Sequence, residues 1–99
     1  MKQITMVRIY LTESEKNLQK LLNYLHDDSQ VGGVTVLRGI SGFGQSGKIH
    51  SSHLVDLSLD LPVIIEFFDI PDKIIKILAH IKILIEPNHI VHWQASLLD

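Results

Sequence analysis

The feature that most constrains the fold is the order in which two hydrophobic periodicities follow one another. Residues 3–11, 34–41, 60–69 and 89–97 are rich in β-branched and aromatic residues, which favours four strands. Leucines or isoleucines recur at helical spacing after the first and after the third of these segments. The order βαββαβ predicts one ferredoxin-like α+β domain over residues 1–99. Such a domain is a sandwich of a four-stranded antiparallel sheet with two helices on one face.

Local signals indicate where the two helices begin and end. Thr12 and Glu15 have the spacing of a capping box, which predicts the start of the first helix. That helix is expected to fade near residues 26–29. Pro71 suits the first turn of the second helix. Pro87 is expected to stop it, because the residue before a proline avoids the helical conformation.

The face of the predicted sheet that no helix covers carries an unusual mixture of side chains. It combines apolar residues with opposite charges and a histidine: Met6, Arg8, Tyr10, Ile64, Glu66, Phe68 and His92. A monomer seldom exposes aromatic residues around a charged pair, although an ordinary half-solvated sheet is the alternative. We predict an oligomer interface that contains Arg8, Tyr10, Glu66, Phe68 and His92. Within that interface Arg8 and Glu66 would form a buried ion pair.

Composition excludes several classes of function. The chain has 9 basic and 11 acidic residues, for a net charge of −2, so it has no basic field for a nucleic acid polymer. No apolar run approaches the roughly 18 residues that span a bilayer, which argues against direct membrane insertion. There is no cysteine, and the first residues have no signal-peptide core. We therefore expect a cytoplasmic protein.

A long polar insert separates the second and third predicted strands. Residues 38–56 read RGISGFGQSGKIHSSHLVD, whereas a hairpin needs only about two to five loop residues. An insert of this length indicates either function or disorder. Gly39, Gly42 and Gly44 could let backbone N–H groups approach an anion, or could simply permit a sharp turn.

Other residues of the insert could also contact a ligand. Phe43 could stack on a base or anchor the insert on the core. Arg38 and Lys48 are the cations near the insert and would be the natural partners of a phosphate, unless they are only solvated charges.

The histidines do not predict a metal site or an enzyme. His50 and His53 are spaced three apart, as are His89 and His92, but neither pair lies on a predicted helix, where that spacing would bring two ligands together. The serines that precede His53 are its chain neighbours, and neighbours rarely form a nucleophile–base pair. We predict no metal ligand and no catalytic residue.

Three motifs together resemble the PII signalling superfamily, above all its uncharacterised PII-like branch, domain of unknown function 190. They are G-I-S-G-F-G at residues 39–44, Ile49-His50, and Asp60-Leu61-Pro62. The resemblance implies a homotrimer whose sheets face a central axis, with adenine-nucleotide sites in the clefts between subunits. It also implies that residues 42–59 form a T-loop that contacts a membrane transporter, a channel or an enzyme. The implied ligand-binding residues are Arg38, Gly39, Gly42, Phe43, Gly44, Lys48 and His50.

One segment departs from the PII pattern. PII proteins have a phosphate-binding loop rich in glycine and lysine before the last strand, whereas this chain has Glu86 and Pro87 there and no glycine. Glu86 would repel phosphate, and Pro87 removes a backbone donor. We therefore expect AMP or ADP as the effector rather than ATP, and no cofactor. The alternative function is a small cytoplasmic enzyme or a ligand-free oligomeric assembly module on the same fold.

Overall fold

The computed structural model describes residues 1–43 and 60–99, together with the backbone of residues 50–51. Its strands and helices, in chain order, are β1 (Lys2–Thr12), α1 (Leu18–Asn23), β2 (Val34–Arg38), β3 (Ser41–Gly42), β4 (His50–Ser51), β5 (Pro62–Asp69), α2 (Pro71–Leu84) and β6 (Ile90–Leu97). A π-helical turn, Tyr24–Asp28, extends α1, and a 3₁₀ turn, Pro87–His89, precedes β6.

The main sheet has four strands in the order β2-β5-β1-β6, and every neighbouring pair is antiparallel. With both helices packed against its core, this arrangement is the predicted ferredoxin-like sandwich, and the predicted fold is confirmed. β3 and β4 form a separate two-stranded ladder in which Gly42 lies opposite His50. β3 stands at the start of the insert, and β4 lies within it.

The core lies between one face of the sheet and the two helices. Alternation along β1 buries Val7 and Ile9 completely, whereas Met6 and Arg8 on the other face are only partly buried. The remaining core residues come from β1, β5 and the helical segments: Leu11, Leu21, Leu25, Val63, Ile65, Phe67, Ile74, Ile77, Ile81 and Ile85. Helical spacing in the sequence predicts a buried stripe of Ile74, Ile77, Leu78 and Ile81 on the second helix, and Ile74, Ile77 and Ile81 are buried.

The predicted capping box at the start of the first helix is wrong. α1 begins at Leu18, and Asn17 occupies its N-cap position without a side-chain bond to the helix. The Glu15 carboxylate instead accepts the N–H of Asn17 at 2.8 Å. Ser14, between the two predicted capping residues, is bonded through its N–H and its hydroxyl to Asp60, at 2.9 and 2.8 Å. A partner 46 residues away thus holds this segment as a loop.

The predicted helix ends and strand starts agree well with the structure. The first helical segment ends at Asp28, inside the expected range. Pro71 is the first residue of α2, and α2 ends at Leu84, three residues before Pro87. Pro62 opens β5, where a missing N–H does least harm to the ladder.

The predicted placement of His92 is wrong. In the antiparallel pair of β1 and β6, His92 lies opposite Val7 and Trp93 lies opposite Met6. Directly paired residues share a face, so His92 is on the helix side and Trp93 is on the helix-free side. Apolar residues of β6 normally face the core, but β6 is an edge strand, and there its apolar set faces away from the helices.

Candidate ligand-binding cleft

A cleft of about 760 Å³ opens at the end of the sheet where β1 and β2 finish and β5 begins. The residues that line it come from both of the segments that flank the insert, from the loop between β1 and α1, and from the turn before β6: Tyr10, Leu11, Thr12, Ser14, Glu15, Lys16, Gly39, Ser41, Gly42, Phe43, Pro62, Val63, Ile64 and His89. Four separate parts of the sequence therefore meet at the root of the insert.

The wall of the cleft beside the insert is built on a close contact between β2 and Pro62. The N–H of Gly39 donates to the carbonyl oxygen of Pro62 at 2.7 Å. A Cβ on Gly39 would stand 2.6 Å from Pro62 Cγ, which is closer than real contacts allow. A Cβ on Gly42 would stand 3.3 Å from the same atom. These two glycines let the chain pass close to the proline ring.

The loop between β1 and α1 forms the opposite wall. Ser14 is tied to Asp60 as described above, and its Oγ lies 3.2 Å from Thr12 Oγ1. On the helix side of the loop, Asn17 Nδ2 donates to the carbonyl oxygen of Leu84 at 2.7 Å. The loop is thus anchored both to the start of β5 and to the end of α2.

His89 brings the turn before β6 into the cleft. Its Nδ1 lies 2.8 Å from the carbonyl oxygen of Tyr10, which can only accept, so Nδ1 carries the hydrogen. In the neutral ring Nε2 is then the acceptor. The segment that has no glycine-rich phosphate loop therefore still contributes a polar side chain to the cleft.

The structure brings three of the predicted ligand-binding residues together: Gly39, Gly42 and Phe43 all line the cleft. Phe43 is 76% exposed, so its ring is not anchored on the core. Arg38 does not line the cleft. Its Nε donates to the Glu13 carboxylate, and this hydrogen bond raises the pKa of Arg38 above its ordinary value.

The other predicted ligand-binding residues lie largely outside the described residues. Gly44 and Lys48 fall in the undescribed part of the insert. His50 is described only by its backbone, which pairs with Gly42, and its side chain is not described.

Sequence reasoning missed Ser14, Lys16 and His89 as residues of the cleft, and placed Tyr10 only in the oligomer interface. Lys16 is 22 or more residues before the insert, and no local pattern links the two segments. Long-range contacts form this wall, among them the bonds from Ser14 to Asp60 and the bond from the Glu13 N–H to the Leu61 carbonyl oxygen. A polar loop directly after a strand end was the one available signal.

The helix-free face of the sheet carries the predicted ion pair. Arg8 lies opposite Glu66 in the ladder, and its Nε donates to Glu66 Oε2 at 2.9 Å. This hydrogen bond raises the pKa of Arg8. The Arg8 guanidinium carbon also lies 5.6 Å from the ring centroid of Trp93, a cation–π distance. In the single chain the two charged side chains are 35% and 26% exposed.

The rest of this face is apolar and solvent-exposed in the single chain. Tyr10, Phe68, Val91 and Trp93 are each between 39% and 46% exposed. On β6 the side chains turned toward the helices are mostly polar, with His92 and Gln94 both exposed, whereas the outward set includes Val91 and Trp93. The larger apolar side chains of the middle of β6 therefore lie on the helix-free side.

Two absences hold for the parts of the chain that the structure describes. Residues 1–43 and 60–99 contain no group of three or more histidine or acidic side chains placed to hold a metal ion. Over the same ranges, no helix has the length and apolar character to cross a membrane.

The fold resembles that of solved PII-like proteins. The structure of CPII, a nitrogen regulatory PII-like protein from Thiomonas intermedia K12, bound to ADP, AMP and bicarbonate, superposes with a TM-score of 0.68 and 20% identity. The alignment covers 96% of this chain and 88% of that one. A second CPII structure, bound to ADP and bicarbonate, has a TM-score of 0.61 at 22% identity, over 94% of this chain and 84% of that one. The chain thus has the fold of these PII-like proteins.

The chain belongs to the family of domain of unknown function 190, described as "Uncharacterized ACR", whose model matches residues 4–97. A relative named "UPF0166 protein", from Aquifex aeolicus strain VF5, is 38% identical over 78 residues. That alignment covers 79% of this chain and 78% of the relative. The resemblance to the PII-like branch, predicted from three motifs, is confirmed.

Proposed function

We propose that this protein is a PII-like regulator that binds AMP or ADP in its cleft, forms a homotrimer, and contacts a target protein through residues 42–59. The observation that carries the proposal is the cleft itself, which lies at the root of the insert and is lined by Gly39, Gly42 and Phe43. A ligand there would contact both ends of the insert, and could therefore bias its conformation. We assign the protein no catalytic role.

Size and chemistry favour a mononucleotide in the cleft. Its volume of about 760 Å³ is in the range of small-molecule sites. Phe43 and Ile64 offer an apolar surface for a base, while the loop between β1 and α1 contributes polar side chains. Solved CPII carries AMP and ADP, which supports the same ligand class here. Glu86 and Pro87 remain a reason to expect no advantage for ATP.

The helix-free face supports the homotrimer. It presents aromatic side chains around the Arg8–Glu66 pair, and burial of such a face against two other copies would remove its apolar area from water. Trp93 takes the place of His92 in the proposed interface, alongside Tyr10 and Phe68. Tyr10 also lines the cleft, so the interface and the cleft share a residue.

The insert would then act as the contact arm. Both of its ends, Phe43 and Asp60, stand beside the cleft wall. The proposed target is a membrane transporter, a channel or an enzyme, met in the cytoplasm.

Calorimetric titration of the trimer with AMP, ADP, ATP and cyclic nucleotides tests the proposed ligand. We expect micromolar affinity, about −8 kcal/mol, for AMP or ADP, and no large gain for ATP. Much tighter binding of ATP would contradict the interpretation of Glu86 and Pro87. If none of the nucleotides binds, the protein is better described as an assembly module.

A further inference from the structure

The polar groups that line the cleft differ in whether they can still donate a hydrogen to a ligand. The N–H of Gly39 is already bonded to the Pro62 carbonyl. The Ser14 hydroxyl donates its one hydrogen to Asp60 Oδ2, so in its contact with Thr12 it can only accept. Thr12 must therefore donate to Ser14. Both hydroxyl groups therefore donate their hydrogens within the protein and can only accept a hydrogen bond from a ligand.

Lys16 is different. Among the described residues of the cleft it is the side chain with a fixed positive charge, and it is exposed. It makes no hydrogen bond or ion pair with any other described residue. Its ammonium group has three hydrogens to donate, and it could form charge-assisted hydrogen bonds with an anion in the cleft.

The backbone that carries Lys16 is held on both sides. Two positions earlier, Ser14 is bonded to Asp60 through both its N–H and its hydroxyl. One position later, the Asn17 side chain is bonded to the Leu84 carbonyl. Binding an anion would therefore immobilise one flexible side chain rather than a whole loop, which lowers the entropic cost of binding.

Arg38, one of the two cations that the sequence predicted as phosphate partners, is in the opposite situation. It donates to Glu13 and does not line the cleft. The Glu13 carboxylate already offsets the charge of Arg38, whereas Lys16 has no such partner among the described residues.

We propose that Lys16 binds the phosphate end of the nucleotide in this cleft. The assignment rests on the proposed function, because it needs a nucleotide to occupy the cleft. It replaces the missing glycine- and lysine-rich loop with a lysine from the β1–α1 loop, and it gives the cleft its preference for a phosphorylated nucleoside over the nucleoside alone.

The test compares Lys16→Gln with two matched variants, Lys20→Gln and Arg38→Gln, by titration with ADP and with adenosine. Lys20 is an exposed lysine on α1 outside the cleft, so it controls for the loss of one surface charge. We expect Lys16→Gln to weaken ADP binding by about 10- to 100-fold, the range of a charge-assisted hydrogen bond. Adenosine binding should stay within about twofold, because adenosine has no phosphate. Lys16→Arg should retain most of the ADP affinity.

The outcomes separate the two levels of the proposal. If the wild type binds ADP and Lys16→Gln binds it equally well, the assignment of Lys16 is overturned while the proposed function stands. An equal loss of ADP and adenosine affinity would also overturn it, because that result means a distorted cleft rather than a lost phosphate contact. If the wild type binds neither ligand, both the proposed function and the assignment are wrong.

Discussion

The two faces of the main sheet are built from the same strands but differ in solvent exposure in the single chain. The covered face is closed by α1 and α2, and its residues, such as Ile9, Ile65 and Phe67, are almost entirely buried. The uncovered face holds an ion pair and aromatic side chains that remain about 40% exposed, among them Phe68 and Trp93. The first face stabilises the monomer. The second is the face that the proposed homotrimer would bury.

The contrast is sharpest within single strands. Phe67 and Phe68 are neighbours on β5, yet one is 2% and the other 41% exposed. On β6, His92 and Trp93 are neighbours, and here the apolar residue is the one on the uncovered face. The apolar residues of this edge strand lie on the uncovered face. We expect such a face to be buried against another chain.

The largest expected effect comes from the matched substitutions Phe67→Ala and Phe68→Ala. Phe67→Ala should lower the free energy of unfolding by about 3–5 kcal/mol, because it opens a cavity in the core. This loss should be present at every protein concentration. Phe68→Ala should instead weaken association, so its effect on the melting temperature should depend on protein concentration. Denaturation monitored at several concentrations distinguishes them, and equal behaviour of the two variants would contradict the two-face account.

A second pair tests the register of β6. Trp93→Ala should destabilise the oligomer by about 2 kcal/mol or more, since buried tryptophans at the centre of interfaces often contribute this much. His92→Ala, on the helix side and exposed, should leave the oligomer unchanged. Sedimentation velocity over a dilution series measures both. If His92→Ala dissociated the oligomer and Trp93→Ala did not, the result would favour His92 in the interface, as the sequence predicted, and would contradict the role given to Trp93.

Removing the ion pair on the uncovered face should have a smaller effect on association. Glu66→Gln keeps the shape of the side chain but leaves the Arg8 guanidinium without its carboxylate. If the oligomer buries this pair, the variant should dissociate at a higher concentration than the wild type, because an unpaired charge is costly to bury. Glu86→Gln, at an exposed position away from this face, is the control. An unchanged dissociation concentration for Glu66→Gln would mean that the pair stays solvated.

The smallest expected effect concerns Asp69, which joins the rim of the covered face to α2. Burial alone would raise the pKa of Asp69, but hydrogen bonds from the Ile70 N–H and from Lys73 outweigh it, so its pKa lies below the ordinary value. A carboxyl with a lowered folded-state pKa contributes stability above its unfolded pKa, and that contribution is lost as the pH falls through the folded pKa. Its size should be below about 1 kcal/mol, as for other partly exposed pairs. Asp69→Asn should flatten the acid limb of the stability–pH profile, and an unchanged profile would contradict this assignment.

The success of the sequence in predicting the covered face has a physical reason. Strand alternation and helical stripes are local, and Pro62 and Pro71 mark element starts through their own ring geometry. The uncovered face was predicted correctly on β1 and β5, where Arg8 and Glu66 interrupt the apolar pattern. It failed on β6, because Val91 and Trp93 of that edge strand lie on the uncovered face and His92 lies on the helix side.

The cleft was predictable only in part. Gly39 and Gly42 stand out in the sequence, but their structural role depends on Pro62, and Arg38 is engaged by Glu13. The opposite wall depends on the hydrogen bond between Ser14 and Asp60, which are 46 residues apart. A contact of this kind produces no periodic pattern in the sequence. The same contact overrode the capping pattern that predicted an earlier start for α1.

Native mass spectrometry of the wild type with ADP tests the central claim most directly, because it reports assembly and ligand in one spectrum. The account predicts a species of about three times the 11.2 kDa chain mass, carrying up to about one ADP per chain. A monomer at micromolar concentration would contradict the interpretation of the uncovered face. A trimer that takes up no ADP would contradict the proposed role of the cleft.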